Sequence, residues 1–273
     1  MSFAPGPARA LVLRLGRVIR LSPFAVLAVS TALAACTQPS ADSGPDHLAR
    51  PFEDSGQNLA LSFDGFDDYA TSATALFPDG RHEQTLSVWF MVDTLAERAA
   101  LITLRKDFDS GIELGLRQGL VGAWRVYGDR QQVLAKTPIT TGSWHHAAYV
   151  FDGSTNLLYV DGALVSSSAE APDKRTPTSS WLGTLDGTRD LFAGRMDDAH
   201  VFEVARSAEQ LAAEFAGKFP KNEPGLVLHL TFDESGGSVV FDHSEQENDG
   251  QLGDGVAPRM PERVRANLTQ SDH

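Results

Sequence analysis

Short segments of alternating hydrophobicity, separated by turn residues, constrain the fold of this chain more than any other feature of its sequence. In Gln84–Val92 the apolar residues Leu86, Val88 and Phe90 fall on one face of an extended chain and alternate with Ser87. Comparable segments are Leu59–Phe63, Ala100–Arg105, Gly111–Arg117, Gly122–Gly128, Trp144–Asp152, Asn156–Gly162 and Arg195–Glu203. Turn signals such as Asp-Gly separate them at intervals of roughly ten residues, a spacing typical of antiparallel β-proteins. We therefore expect an all-β fold, either a sandwich or a barrel.

One segment, Ser207–Gly217, has helical rather than strand-like spacing. Ser207 and Gln210 have the spacing of a capping box, in which the two side chains satisfy free N–H groups at the start of a helix. Leu211 and Phe215 lie four residues apart, so they share one face of that helix. The final glycine is placed to end it.

The first 35 residues are expected to be an export signal rather than part of the fold. Four arginines and no acidic residue precede a short apolar run, Phe24–Ala35, which is too short to span a bilayer comfortably. The run leads into Leu-Ala-Ala-Cys, which resembles a bacterial lipobox, where the leader is cut before a cysteine that carries lipid. Cys36 is the only cysteine of the chain. Lipidation would explain this lone thiol in an exported protein.

Residues 36–57 are rich in Pro, Ser, Gly and Asp, which predicts a disordered tether between the lipid anchor and the fold. Thr37, rather than Asp, follows the cysteine. In the usual sorting rule of diderm bacteria this implies the outer membrane, with the domain in the periplasm or at the cell surface. Cleavage before Cys36 would remove four arginines and lower the net charge from −13 to −17. So acidic a chain is not expected to bind nucleic acid.

Three phrases of the chain occur in a characteristic order, namely LSFDGFDDYA (Leu61–Ala70), GSWHHAAYVFDGSTNLLYVDGALV (Gly142–Val165) and GRMDDAHVFEVARSAEQL (Gly194–Leu211). Together they resemble the laminin G-like 3 branch of the concanavalin A-like lectin/glucanase superfamily. The resemblance covers Asn58–Gly217. It implies a two-sheet antiparallel β-sandwich, a jelly roll, with one short helix near the C-terminal end of the domain. It implies no particular ligand, because members share the sandwich but not one ligand or reaction.

The phrase GLVLHLTFDESGGSVVFDHSEQENDGQL (Gly225–Leu252) resembles a family phrase that often precedes the F-D-G opening, whereas here it follows the helix. Either it is the stub of a second domain, or the sandwich takes it up as an added strand and loop. We favour the second, because an apolar strand such as Leu226–Phe232 would be an aggregation-prone edge if unpaired. The expected division is a jelly-roll domain at 58–224, an added strand and loop at 225–257, and a flexible tail at 258–273.

Acidic residues of the opening and closing phrases are candidate ligands of a structural Ca²⁺. Asp64, Asp67 and Asp68 open the domain, and Asp197 and Asp198 nearly close it. In a jelly roll the two phrases can lie side by side, and related domains often bind calcium near these elements. Calcium prefers several oxygen ligands. The alternative is that Asp64 serves a tight turn and Asp197 accepts hydrogen bonds from buried backbone groups.

Trp124, Arg125 and Tyr127 are the candidate ligand-binding residues of the sheet. Trp124 is expected to point to one face, and Arg125 and Tyr127 to the other. An outward tryptophan is a platform for a sugar ring, whereas an inward one belongs to the core, and the inward placement is favoured. His145 and His146 are also expected on opposite faces, where they cannot easily share a zinc ion.

No catalytic motif stands out in the chain. The two carboxylates of a retaining glycoside hydrolase lie about 5–5.5 Å apart, and neither E-x-D-x-E nor E-x-D-x-x-E occurs. The expected function is therefore non-catalytic binding of a glycan or a protein in a bacterial cell envelope, with attachment to the membrane through the lipid. The alternatives are a carbohydrate-active enzyme with an unrecognised site and a structural protein of envelope assembly.

Replacing Cys36 with serine should release the protein from the membrane fraction or leave it unprocessed. Without the thiol no lipid is attached there, and the polar tether offers nothing else to hold the domain on a bilayer. Membrane fractionation and the mass of the mature N-terminus measure this, with Ser40→Ala as a control in the tether. A Cys36→Ser protein that is processed and sediments with membranes like the wild type would contradict the lipobox.

Overall fold

The computed structural model describes residues 56–72, 76, 83–107, 110–125, 131–169, 177–219 and 223–267. The expected signal peptide (residues 1–35), the lipidation site Cys36 and most of the expected tether, up to residue 55, lie outside the described residues. Tyr127 also lies outside them, and of Arg125 only the backbone is described.

The described part of the chain contains sixteen strands and one helix. The elements are β1 (Leu59–Asp64), β2 (Ala70–Ser72), β3 (Glu83–Val92), β4 (Arg98–Asp107), β5 (Ser110–Arg117), β6 (Leu120–Arg125), β7 (Gln131–Leu134), β8 (Trp144–Asp152), β9 (Asn156–Val160), β10 (Ala163–Ser168), β11 (Ser179–Leu182), β12 (Ala193–Phe202), α1 (Ala208–Phe215), β13 (Leu226–Leu230), β14 (Val239–Val240), β15 (Gly250–Leu252) and β16 (Glu262–Arg265). The prediction of an all-β fold with one short helix is confirmed. Within the described ranges, no helix has the length and apolar character needed to cross a membrane.

The strands form two antiparallel sheets that pack as a sandwich. The first sheet has the order β10-β9-β8-β3-β12-β1-β16, and β13 also pairs with β12. The second has the order β14-β15-β2-β11-β4-β5-β6-β7. Consecutive strands such as β1 and β2, or β11 and β12, lie in different sheets, so the connections cross from one sheet to the other. This is the jelly roll that the family resemblance implied.

The inner faces of the two sheets form one continuous apolar core. In β8 the residues Ala147, Tyr149 and Phe151 point into it, and those between them point to the opposite face of the sheet. This follows from the two-residue repeat of a strand. The Tyr149 hydroxyl donates a hydrogen bond of 2.7 Å to Asn156 Oδ1, so the largest polar ring of the core leaves no donor unpaired.

Helix α1 covers the outer face of the first sheet. It begins after Ser207, whose side chain accepts a hydrogen bond from the Gln210 amide in the predicted capping box. Its Phe215 ring stacks on Trp89 of β3, with ring centroids 5.4 Å apart. Because the core lies on one side of β3 and the helix on the other, residues at both faces of this central strand are buried.

A buried carboxylate holds α1 against that sheet. Glu214 accepts a hydrogen bond from the Ser87 hydroxyl at 2.5 Å and lies 3.2 Å from His146 Nε2 and 3.1 Å from His200 Nδ1. Burial alone would raise the pKa of Glu214, but His200 and His146 hold it well below its ordinary value. A buried charge is tolerated only when it is paired in this way.

The C-terminal segment contributes strands to both sheets. β13 pairs with β12 in the first sheet, and β15 pairs with β2 in the second. β16 pairs with β1, so the flexible tail expected over 258–273 is wrong for Glu262–Arg265. The polar composition of that strand hid its pairing, because an edge strand needs backbone partners more than apolar side chains.

Replacing Leu228 of β13 with alanine should destabilise the fold by about 2–5 kcal/mol, the usual cost of emptying a buried leucine site. Leu228 is 1% exposed and belongs to the inner core, whereas Leu164 of β10 is 54% exposed. The Leu164→Ala variant makes the same chemical change at the surface and should alter stability by less than about 0.5 kcal/mol. Urea unfolding of both variants measures the difference, and equal effects would mean that β13 is not part of the core.

Candidate functional site

The outer face of the second sheet carries a row of aromatic and polar side chains. Trp181 on β11 lies opposite Thr103 on β4. Thr103 lies opposite Glu113 on β5, and Glu113 lies opposite Trp124 on β6. Directly opposed residues of antiparallel strands point to the same face, so these four residues form one line across four strands. Neighbouring strands are about 4.8 Å apart, which separates the two tryptophans by roughly 14 Å.

Glu113 is a buried carboxylate within this row. Ile112 and Leu114 on either side of it belong to the inner core, so Glu113 points outward, yet its side chain is fully buried. The Arg98 Nη2 atom lies 3.2 Å from Glu113 Oε2. Burial raises the pKa of Glu113 to about 7, although Arg98 opposes the rise. The carboxyl group is therefore held by a guanidinium and can change its protonation near neutral pH.

Two glycines leave the space that these side chains occupy. A Cβ at Gly115 would lie 2.5 Å from the Ala99 carbonyl oxygen and 3.2 Å from Glu113 Oε1. A Cβ at Gly122 would lie 2.6 Å from the Trp124 indole. A side chain at Gly115 would therefore clash with the backbone of β4, and one at Gly122 would displace the Trp124 ring.

Trp124 lies on the outer face, so the inward core position that the sequence favoured is wrong. Its sequence neighbour Ala123 points into the core instead. The indole is only 6% exposed, and the Arg98 guanidinium lies over its ring at 5.5 Å. Trp124 is therefore a supporting surface for Arg98 rather than an open platform for a sugar. The structure does not describe the side chains of Arg125 and Tyr127.

The loop of residues 183–192, which joins β11 to β12, is hydrogen-bonded to strand β4 of this face. The Thr103 hydroxyl donates to the Thr184 carbonyl at 3.2 Å, and Arg105 Nη1 donates to the Leu185 carbonyl at 3.4 Å. The Ala100 amide donates to the loop at its other end, to the carbonyl of Asp190. Both ends of the loop are thus fixed to the same strand.

The loop brings charged side chains over the row. Asp190 Oδ2 lies 3.3 Å from Arg98 Nη2, and Asp186 Oδ2 lies 3.5 Å from Arg105 Nη1. Asp186 Oδ2 also accepts a hydrogen bond from Arg189 Nε at 2.9 Å. Burial alone would raise the pKa of Asp186, but its bonds to Arg189 and to a neighbouring threonine hold it below the ordinary value. Arg189, Arg98 and Asp190 reach solvent, with side chains 43%, 29% and 19% exposed.

Trp181 forms the other end of the row and is half-buried. Its ring centroid lies 5.5 Å from that of Tyr69. Gly187 of the loop packs on both rings, since a Cβ there would lie 3.2 Å from Trp181 and 3.7 Å from Tyr69. The face thus joins an aromatic surface to a line of arginines and carboxylates, which is the chemistry that binds apolar ring faces and hydroxyl groups.

Asp64, Asp67 and Asp68 come together in the loop after β1. One carboxylate oxygen from each lies within 4.8 Å of the others. Asp64 Oδ1 accepts the Phe66 amide at 2.7 Å, which is the turn that the sequence offered as an alternative. Burial, together with the charges of Asp64 and Asp67, raises the pKa of Asp68 to about 6. Three hard oxygen donors this close suit Ca²⁺.

The structure does not bring the second acidic pair to this group. Asp64 lies opposite Ala193, and Leu61 lies opposite Met196. The same register puts Asp197 four residues along β12 from the partner of Asp64, roughly 13 Å away. Two acidic pairs at that separation cannot share one ion, although the strands that carry them are neighbours as expected.

Asp197 is buried at an irregularity of β12. The register of β12 with β3 shifts between Asp197 and His200, and Asp198 has a φ of +43°. Asp197 Oδ1 accepts the Asp198 amide at 2.9 Å. Burial, and then the charges of Asp198 and Asp233, raise the pKa of Asp197 well above its ordinary value. Asp198 Oδ1 lies 3.7 Å from His229 Nε2.

His145 and His146 point to opposite faces of β8, as their positions in a strand predict. His146 contacts Glu214 beneath α1. His145 lies between Asp161 Oδ2, 2.9 Å from its Nδ1, and the Thr140 hydroxyl, 2.9 Å from its Nε2. These three residues line a groove of about 440 Å³ beside β10. Through these two contacts His145 links the β7–β8 loop to the β9–β10 turn.

Four residues of the candidate site, namely Glu113, Arg98, Trp181 and Asp190, were not singled out from the sequence. Glu113 carried a usable signal, because a charged residue between Ile112 and Leu114 must lie on the outer face of an alternating strand. Arg98, Trp181 and Asp190 carried none, since their meeting depends on the pairing of strands that are distant in the chain.

The chain matches the Laminin_G_3 family model, of the concanavalin A-like lectin/glucanases superfamily, over residues 63–212, more than half of its length. A search of curated protein sequences found no match.

Among solved structures, the chain is similar to a Bacteroides ovatus protein to which carbohydrate binding has been ascribed. The two share 18% identity and a TM-score of 0.60 over 78% of this chain and 61% of the other. A SAP-like pentraxin from Limulus polyphemus shares 12% identity and a TM-score of 0.47, over 57% and 81% of the two chains. The Ruminococcus gnavus IT-sialidase CBM40, bound to α2,3-sialyllactose, shares 15% identity and a TM-score of 0.45, over 60% and 100%. At such identities the B. ovatus likeness establishes the fold alone.

Replacing Glu113 with glutamine should remove a pH-dependent part of the stability. The pKa of Glu113 rises from 4.5 to about 7 on folding. The protonated carboxyl group therefore contributes to the free energy of unfolding fully below pH 4.5, and this contribution is lost as the pH rises to about 7. The stability lost is at most about 3 kcal/mol. Glutamine mimics the protonated form, so the variant should gain stability relative to the wild type between pH 5 and pH 7.5.

Urea unfolding at both pH values measures this gain, with Glu262→Gln on exposed β16 as the matched control. A constant difference between Glu113→Gln and the wild type across this pH range would show that Glu113 does not titrate there.

Proposed function

The chain belongs to the Laminin_G_3 family of the concanavalin A-like lectin/glucanase superfamily, and from this premise we propose that it binds glycans, without cleaving them, on the outer face of its second sheet. The fold is one that carbohydrate-binding proteins use, and the B. ovatus likeness supports this assignment. The superfamily also contains enzymes, so the residues of the site must decide between binding and catalysis.

The observation that carries the proposal is the row from Trp181 to Trp124 beneath the loop of residues 183–192. Its buried layer, Glu113 with Trp124, holds Arg98 in place. Its exposed layer presents carboxylates and guanidinium groups beside the half-buried Trp181 ring. Sugars offer apolar ring faces together with hydroxyl groups that donate and accept hydrogen bonds. The aromatic ring of this surface can stack on a sugar ring, and its charged groups can bind the hydroxyl groups. Residues held by their own ion pairs also lose little freedom on binding.

Glycoside hydrolysis is the second candidate, and one observation favours it. Glu113 Oε2 and Asp190 Oδ2 both lie within 3.3 Å of Arg98 Nη2, and the raised pKa of Glu113 suits a general acid. Two features argue for binding instead. The Glu113 side chain is fully buried, and Arg98 occupies the space between the two carboxyl groups, where a scissile bond would have to lie.

Arg189→Ala should weaken binding to the best glycan of an array by at least about tenfold, because charge-assisted hydrogen bonds to a ligand are among the strongest polar contacts. Arg265→Ala on β16 of the first sheet makes the same change of charge at another exposed position and should bind like the wild type. Trp181→Ala should also lose binding, with melting curves to show that the variant remains folded. Equal binding by the Arg189 and Arg265 variants would place the site elsewhere.

The same samples test the second candidate. Release of reducing ends from the bound glycan by the wild type, and its loss in Glu113→Gln, would establish hydrolysis. Binding without product over prolonged incubation supports the non-catalytic function.

We place this domain in the bacterial cell envelope, held to the outer membrane by lipid on Cys36 and facing either the periplasm or the cell surface. The Leu-Ala-Ala-Cys phrase and the single cysteine support the anchor. A polar tether of about twenty residues would let the domain reach glycan strands near the membrane. A protein ligand, or a structural part in envelope assembly, remains the alternative partner class, and a glycan array that yields no binding would favour it.

We also assign a structural Ca²⁺ to Asp64, Asp67 and Asp68. An ion that binds only the folded state stabilises it by about 2.7 kcal/mol at a hundredfold excess over its dissociation constant. Melting temperature should therefore rise in millimolar Ca²⁺ and fall in chelator. The effect should shrink below pH 6, because the pKa of Asp68 is about 6 and a proton competes with the ion.

Asp67→Asn should abolish the calcium effect, whereas Asp93→Asn, at an exposed position in the loop after β3, should retain it. Identical melting curves in calcium and in chelator, from protein shown to be free of metal, would leave these aspartates as turn formers only.

A further inference from the structure

The charged groups of the row and its loop that the structure describes are paired with one another. Arg98 is paired with Glu113 and Asp190, and both Arg105 and Arg189 are paired with Asp186. Among the described residues of the row and its loop, three carboxyl groups thus meet three guanidinium groups, while the exposed Arg117 at the end of β5 lies outside these pairs. These paired groups present many hydrogen-bonding atoms, and their charges offset one another when Glu113 is ionised.

We infer that the glycan bound at this site is neutral and presents neighbouring hydroxyl groups, rather than carboxylate or sulfate groups. The inference rests on the proposed function and narrows its ligand class. A hydroxyl group can donate to a carboxylate and accept from a guanidinium, so a pair of neighbouring hydroxyls can bind Asp190 and Arg98 while their ion pair stays intact. Each ionised carboxylate has about four acceptor positions and each guanidinium five N–H donors, which leaves groups for both bonds.

An anionic sugar would meet the opposite situation. To reach Arg98, its carboxylate would have to displace Asp190, which would then lie beside two other negative charges. Leaving one partner of a desolvated ion pair uncompensated is strongly unfavourable. The net charge of the chain, −13, adds a field that repels anionic polymers at a distance.

Arg117 is the residue on which an acidic ligand would depend. It lies opposite Arg98 at the end of β5 and is exposed. No carboxylate partner of Arg117 is found within the described residues. The test must therefore separate recognition by the paired cluster from recognition by this edge arginine.

The experiment compares neutral glycans with counterparts that carry an added acidic group. Affinities are measured for three pairs, each with the neutral member first: laminarin and its C6-oxidised form, carboxyl-reduced polygalacturonate and polygalacturonate, and lactose and sialyllactose. A wider panel of neutral and acidic glycans is measured beside them. Neutral members should bind at least about tenfold more tightly than their acidic partners. Their binding should not change between low and high salt, because ion pairing with the ligand is not its source.

Asp190→Asn frees Arg98 of one partner, so it should raise the affinity for acidic members severalfold, whereas Asp93→Asn, which changes the charge equally at an exposed loop position, should not. A preference for acidic glycans would overturn the inference if high salt weakens it and Arg117→Gln abolishes it. The proposed function, glycan binding, would still hold. Binding of no glycan at all would overturn the proposed function, and the inference with it.

Discussion

The backbone pairing of β12 is the constraint on which the rest of the structure depends. β12 pairs with β3, β1 and β13, three strands from distant parts of the chain, whereas β11, the strand before it, lies in the other sheet. The ten residues that join β11 to β12 must therefore cross between the sheets. Their path leads Asp186, Arg189 and Asp190 to the outer face of the second sheet, where they complete the site.

Both outer faces of the sandwich bury a carboxylate, and the two differ in what covers it. Glu214 lies between the first sheet and α1 and accepts a hydrogen bond from Ser87, while His200 and His146 keep its pKa low. Glu113 lies on the second sheet beneath side chains of the face, with Arg98 as its charged partner, and its pKa rises to about 7. The first arrangement pairs the charge with histidines and with Arg206, 3.6 Å from Glu214 Oε2, and serves the fold. The second keeps a group near its titration point beside an exposed surface, as functional sites often do.

Much of the architecture followed from local patterns. Alternation in Gln84–Val92 and the other segments predicted strands, and Ser207 with Gln210 predicted the start of α1, because both signals depend on neighbours along the chain. The edge strand Glu262–Arg265 was missed because its pattern is polar. The inward placement of Trp124 was wrong because its neighbour Ala123, which is also apolar, faces the core instead. Alternation alone does not decide which of two apolar neighbours points inward.

The sequence by itself determined the sheet-rich fold, the helix and the turn that gathers Asp64, Asp67 and Asp68, since these depend on residues only a few positions apart. Only the tertiary structure decided the register of the strands. That register separates Asp64 from Asp197 by roughly 13 Å and aligns Trp181, Thr103, Glu113 and Trp124 in one row. The physical reason is that opposed residues share a face only after distant strands have paired, and no local pattern specifies which residues will be opposed.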